Sequence, residues 1–559
     1  MAHRSGARLT LPAGLLYQTL VHTATERGRE PALTFAESGD AKAVSYTYES
    51  LFERVEQLGT RLATRYENRT APLGLLLASQ EDQVLHYLAA LSIGALPAIL
   101  TPPNRKLNRD YYAQTMGGVL RRCRFGALVT DVDELDFEDL QMTPHDFEVR
   151  SNGRQSAPDA DIPRIEASFM QFSSGTTGIK KGVLVEDEAV IRQLQSYSAA
   201  LQLSNEDCIV SWLPLYHDMG FIACLNMPLA YGVHTVMIDP IDWVSNPAIY
   251  LRKVSEHRGT LSWHPNFAYA FMAKRVPDRA IEDVNLSSVR GLVNCSEPVT
   301  FESQWSFLER YKSWGLADDV FKGCYAMAET TFALTHGGSD DPGYLDPVGP
   351  TDPARSPGHA QYVSVGQPLP GVELKIMDAD REMELPEREM GEIWVSSPFN
   401  FSGYFNDEDA TSTAFAGDWY KTGDVGYRVG SAFYVVGRAK DLLVVAGVNV
   451  FPQEIEEMVS QVEGVNPGRV SAFSVFDEKL QTERVVVVAE SDGHDGPDKS
   501  RIVLEIRQRI LAGFQIGNFD VALVPPQWLV KSTSGKIARN ANRQKWLEAH
   551  TGEKARSDE

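Results

Sequence analysis

Short apolar runs alternate with helix-patterned segments along most of this chain, and no other feature constrains its fold as much. Leu51, Val55, Leu58 and Leu62 fall on one face at helical spacing. Leu73–Leu77, with Gly74 inside it, then reads as a buried strand. A helix over 82–93 leads to a strand at 98–100, which Pro102-Pro103 stops, and 126–131 adds another strand. The pitch repeats further on, with a helix at 187–200, a strand at 208–212, a helix at 246–257 and strands at 260–262, 291–294 and 320–324. This alternation predicts a wound α/β architecture, and a parallel sheet would bring the strand ends to one crevice.

The residues that follow those strands are polar. His217-Asp218 comes after 208–212, Asn294-Cys295-Ser296-Glu297-Pro298 ends 291–294, and Tyr325-Ala326-Met327-Ala328-Glu329-Thr330 follows 320–324. A lone histidine serves structure as readily as function, and the residues around His217 do not decide between them. Earlier, the apolar run Ala167–Met170 leads into Phe172-Ser173-Ser174-Gly175-Thr176-Thr177-Gly178-Ile179-Lys180-Lys181-Gly182. Its glycines permit a tight turn and close approach of a ligand. Its hydroxyls and backbone N–H groups can ring a phosphate, and its lysines can neutralise one. No Gly-Lys-Ser/Thr follows at P-loop spacing, so by itself the stretch also fits an ordinary Ser-rich loop.

From 337 to 358 the chain is rich in Pro and Asp and poor in apolar residues, which predicts a long surface loop or insertion. From 366 to 397 it turns β-rich. Trp419-Tyr420-Lys421-Thr422-Gly423-Asp424, a strand at 432–436 and Gly437-Arg438-Ala439-Lys440 follow. A boundary at Lys440 divides the chain into 1–439 and 440–559. The second part reads as a small α+β domain, with Pro452 opening a helix and Ile502, Ile506 and Ile510 spaced for another. Its last segment is Ser532-Thr533-Ser534-Gly535-Lys536, then a helix to about 549.

Composition narrows the function. With 559 residues and 43% hydrophobic content the chain is long enough for several globular domains. A formal net charge of −22 argues against nucleic acid or an anionic membrane surface as partner. Cysteines 123, 208, 224, 295 and 324 are odd in number and form no CxxC, so neither a disulfide framework nor a zinc site is expected. Without a signal-peptide core or a long apolar run, a cytoplasmic location is expected.

The order of five separated motifs resembles the adenylate-forming superfamily of acyl-CoA synthetases, peptide-synthetase adenylation domains and firefly luciferase. They are Ser173–Gly182, Tyr325–Thr330, Tyr420–Asp424, Gly437-Arg438 and Gly535-Lys536. Ser211–Gly220, Pro265–Tyr269, Glu297-Pro298 and the insertion near 337–360 are most similar to the fatty acyl-AMP ligases. The resemblance implies a large domain of two wound α/β subdomains plus a β-rich subdomain, and a small mobile α+β C-terminal domain. It implies ATP- and Mg2+-dependent adenylation of a carboxylic acid, with pyrophosphate release. Transfer to an acyl or peptidyl carrier protein, or to coenzyme A, would follow. The insertion is held to disfavour free coenzyme A.

Each role is carried over to a matching position. Ser173, Ser174, Gly175, Thr176, Thr177, Gly178 and Lys181 would hold the β- and γ-phosphates, and Glu329 would hold the metal. Tyr325 would stack on adenine, in a wall with Asn294, Cys295, Ser296, Glu297, Pro298, Ala326, Met327, Ala328 and Thr330. Asp424 would accept from the ribose hydroxyls, and Arg438 would reach ribose or phosphate. His217 would stand beside the adenylate, Lys536 would be the catalytic cation, and Lys440 would be the hinge.

The chain departs from that family at Lys180, Ala326, Trp263, His264 and Cys295-Ser296. Bulk at Trp263 and His264 is expected to shorten the acyl pocket, and Asn226 to add polarity. A short or aryl acid joined to coenzyme A, or an oxyanion such as nitrite, therefore stands as an alternative. So does a catalytically silent nucleotide-binding relative, which loss of Lys536, Glu329 or Asp424 would have favoured. Arg539, Arg543 and Lys545 are candidates for a carrier-docking patch, or simply a solvated helix face.

Overall fold

The computed structural model describes residues 15–37, 42–66, 71–103, 109–131, 167–173, 180–341, 343–351, 362–445, 448–477, 482–514, 516, 519–532 and 535–557. Among these residues the largest element is a nine-stranded sheet. Its inner strands, in spatial order, are Phe321–Gly323, Gly291–Asn294, Leu261–His264, Cys208–Ser211, His234–Met237 and Pro31–Phe35, all parallel. Antiparallel strands close both edges. The inner strands are almost wholly buried, as expected when helices cover both faces. Leu73–Leu76, Pro97–Ile99 and Ala127–Thr130 form a second, smaller parallel sheet. The molecule is thus α/β, as the alternation implied.

Two differences from the sequence reading arise at these strands. The strand expected at 260–262 runs Leu261–His264, so Trp263 and His264 lie inside it and are fully buried. The Ser-rich stretch is flanked by two paired strands: Phe169–Phe172 pairs antiparallel with Gly182–Val185. Ser173 N–H donates to the Lys181 carbonyl at 3.1 Å, and Lys181 N–H donates to Ser173 Oγ at 3.2 Å, closing the base of that hairpin. Ser174, Gly175, Thr176, Thr177 and Gly178 lie outside the described residues.

The β-rich part is a six-stranded sheet in which Trp419–Val429 pairs with both Gly391–Ser396 and Ala432–Arg438. Part of the insertion pairs as short strands. Leu345–Asp346 pairs with Tyr362–Val363, and Asp346 accepts from Arg388 at 2.8 Å and Tyr427 at 3.0 Å. Residues 352–361 lie outside the described residues.

Beyond Asp441 a separate apolar cluster forms around Val485, Val487, Ile502, Ile506 and Ile510. It joins the Val470–Asp477, Thr482–Glu490 and Phe519–Val524 sheet to the helices Pro452–Ser460 and Lys499–Phe514. The final helix, Arg539–Ser557, runs past the expected end near 549. At the junction, a Cβ on Gly437 would meet the Phe451 ring at 2.5 Å, so only glycine permits this close approach.

Candidate active site

One cavity of about 1240 Å³ lies where the strand ends of the large sheet meet the β-rich sheet and the C-terminal part. His217, Asp218, Ser296, Tyr325, Glu329 and Lys536 all open onto it, as do Asp424 and Arg438. The topology explains the convergence. Parallel strands Cys208–Ser211, Gly291–Asn294 and Phe321–Gly323 end side by side, so the residues after each share one rim.

Asp424 and Arg438 come from neighbouring strands and are direct cross-strand partners. Arg438 Nε lies 2.9 Å from Asp424 Oδ1, and Tyr325 Oη donates to Asp424 Oδ2 at 2.7 Å. The carboxylate is therefore held from both sides before any ligand arrives, and each oxygen retains acceptor capacity. Asp424 in turn keeps the Arg438 guanidinium firmly charged.

Glu329 sits in a tight turn over Ala328–Thr330. Gln171, one residue before the end of its strand, donates from Nε2 to the Ala328 carbonyl at 2.8 Å and the Thr331 carbonyl at 2.9 Å. The hairpin below the Ser-rich stretch thus pins the Glu329 turn. Tyr404 Oη donates to Glu329 Oε1 at 3.0 Å, and burial pushes the Glu329 carboxyl above its usual range. Lys181 Nζ lies 4.3 Å from the centre of the Tyr404 ring. Tyr404 and Gln171 were not expected from the sequence, because neither stands in a motif.

Lys536 follows Gly535, whose φ of 79° is readily tolerated by glycine and places the lysine loop. Its ammonium acts on two groups across the cavity. Burial, reinforced by that neighbouring charge, lowers Lys180 to about 8. Burial pushes Asp218 up to about 6, against the pull of the same ammonium. The sequence-distant lysine therefore shares an electrostatic environment with the hairpin and with the His217-Asp218 strand end.

Several expected residues sit elsewhere. Cys295 is fully buried behind the wall, and Thr330 is also fully buried, with its hydroxyl donating to its own turn at Met327 and Phe332. Asn294 is buried and donates to Asn266 Oδ1 at 2.9 Å. Trp263 and His264 do not form the pocket wall, nor does Asn226 add polarity there. Trp263 Nε1 donates to Tyr197 at 2.8 Å, and Asn226 accepts from Tyr87 at 2.8 Å and donates to the Phe221 carbonyl. The wall is Trp212, one layer in front of His264. The basic patch on the last helix is not free either. Arg539 forks onto Glu456 at 2.8 and 2.7 Å and reaches Asp441 at 3.0 Å. Arg543 donates to the Ser474 carbonyl, and Lys545 donates to the Trp528 carbonyl.

No group of three or more His, Cys, Asp or Glu side chains that could hold a metal occurs among the described residues. Glu329, a buried carboxylate with one oxygen engaged by Tyr404, fits a hard cation carried mainly by substrate phosphates. No described helix is long and apolar enough to cross a membrane.

Strand ends and the segment that carries Lys536 thus line one cleft. The A-PCP form of McyG, solved with phenylalanyl-adenylate, superposes with a TM-score of 0.83 over 98% of each chain, at 21% identity. The chain belongs to the AMP-binding enzyme family, whose model matches residues 20–405. It is 29% identical over 552 residues to the Mycobacterium tuberculosis protein named probable long-chain-fatty-acid–AMP ligase FadD30, covering 89% of this chain and 91% of that one. A fatty acyl-adenylate ligase from L. pneumophila, in complex with acyl adenylate and pyrophosphate, is 25% identical with a TM-score of 0.69, over 96% of this chain and 98% of that one. Fold and family together define an AMP-forming acid ligase.

Proposed function

We propose that the enzyme joins a carboxylic acid to AMP and then passes the acyl group to the thiol of a carrier protein. One observation carries the reading. Tyr325, Asp424, Arg438, Glu329 and Lys536 come from well-separated parts of the chain and line a single cavity. In the first step a carboxylate oxygen attacks the α-phosphorus of ATP. The new P–O bond replaces the bond to pyrophosphate, which leaves with the electron pair.

This chain's residues bind and orient. Asp424, preset by Tyr325 and Arg438, receives the ribose hydroxyls, and the Tyr325 ring faces adenine. The Ser173–Gly178 stretch and Lys181 meet the terminal phosphates. Glu329 and those phosphates would hold Mg2+, which when bound neutralises phosphate charge. Lys536 stands between the two anions and stabilises the charge that builds on the α-phosphate. At about 4 Å such a contact near a protein surface is worth about 4 kcal/mol. His217 flanks the forming anhydride.

In the second step a thiolate attacks the acyl carbon and AMP leaves. For this step residues 440–559 rotate about Lys440 and withdraw Lys536 from the cleft. The A-PCP form of the McyG neighbour supports a carrier as acceptor. The test is magnesium-dependent ATP–pyrophosphate exchange over a panel of acids, followed by transfer to a carrier protein or to coenzyme A. Exchange with one acid class and loading of the carrier supports the reading. Loading of coenzyme A alone overturns the carrier, and absence of exchange despite ATP binding overturns the ligase.

A further inference from the structure

The M. tuberculosis relative FadD30 is named for long-chain fatty acids, but the acid end of this cavity is short. From the His217 rim the cavity reaches Trp212 and Phe267, and the Trp243, Trp263 and His264 side chains behind them do not line it. Trp212 stacks on fully buried Trp243 at 3.6 Å with 2° between the rings. Its indole N–H donates to His264 Nδ1 at 2.8 Å. His264 is itself fully buried, with Tyr250 and Tyr269 edge-on at 4.7 and 5.3 Å. Burial lowers it to about 3, so at neutral pH it is an uncharged acceptor with a fixed orientation. Moving Trp212 aside would break both the stack and the hydrogen bond, so the wall is rigid.

The rest of the cavity does not replace a tunnel. Beyond Phe267 the lining includes the polar side chains Lys274, Glu302, Ser303 and Ser306 beside Ala270, and these cover an alkyl chain less well than an apolar wall would. A buried methylene is worth about 0.8 kcal/mol, and a long chain depends on many of them. The floor near His217 is polar instead. Ser296, at φ 72°, holds a left-handed conformation that is uncommon for a residue with a side chain. It opens onto the cavity, and among the described residues its hydroxyl is bonded to sulfur, Met219 Sδ and Cys295 Sγ, each at 3.9 Å. Sulfur is a weak acceptor, so the hydroxyl retains most of its bonding capacity.

Building on the acid-ligase reading, we propose that the acid is compact, of aryl or short-chain size. It carries a polar atom that Ser296 meets, and Trp212, clamped by Trp243 and His264, sets the size limit. The test uses non-hydrolysable acyl-sulfamoyl adenosines bound to the intact protein and measured by calorimetry beside AMP. Propanoyl, hydroxybenzoyl and benzoyl forms bind at least 10-fold tighter than AMP, and the dodecanoyl form binds at least 100-fold more weakly than the benzoyl form. Trp212→Ala restores dodecanoyl binding at least 10-fold. Ser296→Ala weakens the hydroxybenzoyl form about 10-fold more than it weakens the benzoyl form. Equal or tighter dodecanoyl binding by the unaltered protein overturns the size limit, whatever the fate of the Trp212 variant. Equal loss of both aryl forms in Ser296→Ala overturns the role of Ser296. Failure of AMP itself to bind sinks the adenylate reading, an outcome distinct from both.

Discussion

The Asp424 carboxylate shows what single residues do in this site. Tyr325 and Arg438 already hold its two oxygens, so in the proposed adenylate site it would meet a ribose without reorganising. Asp424→Asn keeps the shape but loses the charge that holds Arg438. We expect KM for ATP to rise at least 10-fold in exchange assays, corresponding to about 1.4 kcal/mol or more; an unchanged KM would remove Asp424 from ribose binding. His264 provides a second residue-scale test. Its folded pKa, about 3, lies below the ordinary histidine value of 6.5, so only the unfolded chain takes up its proton between those values. Stability from this group is therefore full above pH 6.5 and falls as the pH drops through the window. The slope is about 1.4 kcal/mol per pH unit for one proton. Buried Asp218, raised to about 6, acts in the opposite sense, so the comparison is with His264→Asn. Urea midpoints should show the unaltered protein losing stability faster than the variant between pH 6 and 4, and parallel curves would contradict this. Motif residues such as Asp424 and Tyr325 were legible because their chemistry travels with a local pattern. The Trp212 wall was not, because it arises from side chains drawn from three separate segments and leaves no pattern in any of them.

At the level of elements, wound strands and helices were legible from their apolar spacing. Edges and turns were less so. The His217-Asp218 and Tyr325–Thr330 segments follow their strands as read. The Leu261–His264 strand outran its estimate because Trp263 and His264 are apolar enough to be buried within the sheet. Of the candidate docking residues on the last helix, Arg539 is engaged within its own part of the chain. Arg539 reads as a surface cation, yet it forks onto Glu456 and Asp441. Arg539→Met leaves two carboxylates without their cation. The C-terminal part should lose about 2 kcal/mol, seen as earlier proteolysis there, because breaking a partly buried pair costs more than a surface one. Unchanged proteolysis would mean that the fork is ornamental. Gln171 links the hairpin to the Glu329 turn through two bonds. Gln171→Ala, by removing both bonds from the turn and leaving Ala328 C=O only its bond from Thr331 N–H, should raise the magnesium concentration needed for half-maximal exchange about threefold or more, whereas a purely structural role would lower stability alone.

Across the whole molecule, the cavity is lined jointly by the strand ends of the large sheet and by the C-terminal part, Lys536 included. That juxtaposition was legible in the order of motifs and not in any single one. Its hinge is the proposal that joins the two half-reactions. Lys440 is exposed in the short turn Ala439–Asp441, and Lys440→Pro fixes its φ. Adenylation should then change less than threefold while thiol transfer falls at least 10-fold; equal losses would argue against rotation. The central claim, that Lys536 makes this cleft an adenylating site, is tested most directly by ATP–pyrophosphate exchange in the unaltered enzyme beside Lys536→Ala, with ATP binding measured on both. The account predicts magnesium- and acid-dependent exchange that falls at least 100-fold in the variant while ATP affinity stays within a few-fold. Full exchange by Lys536→Ala would contradict it.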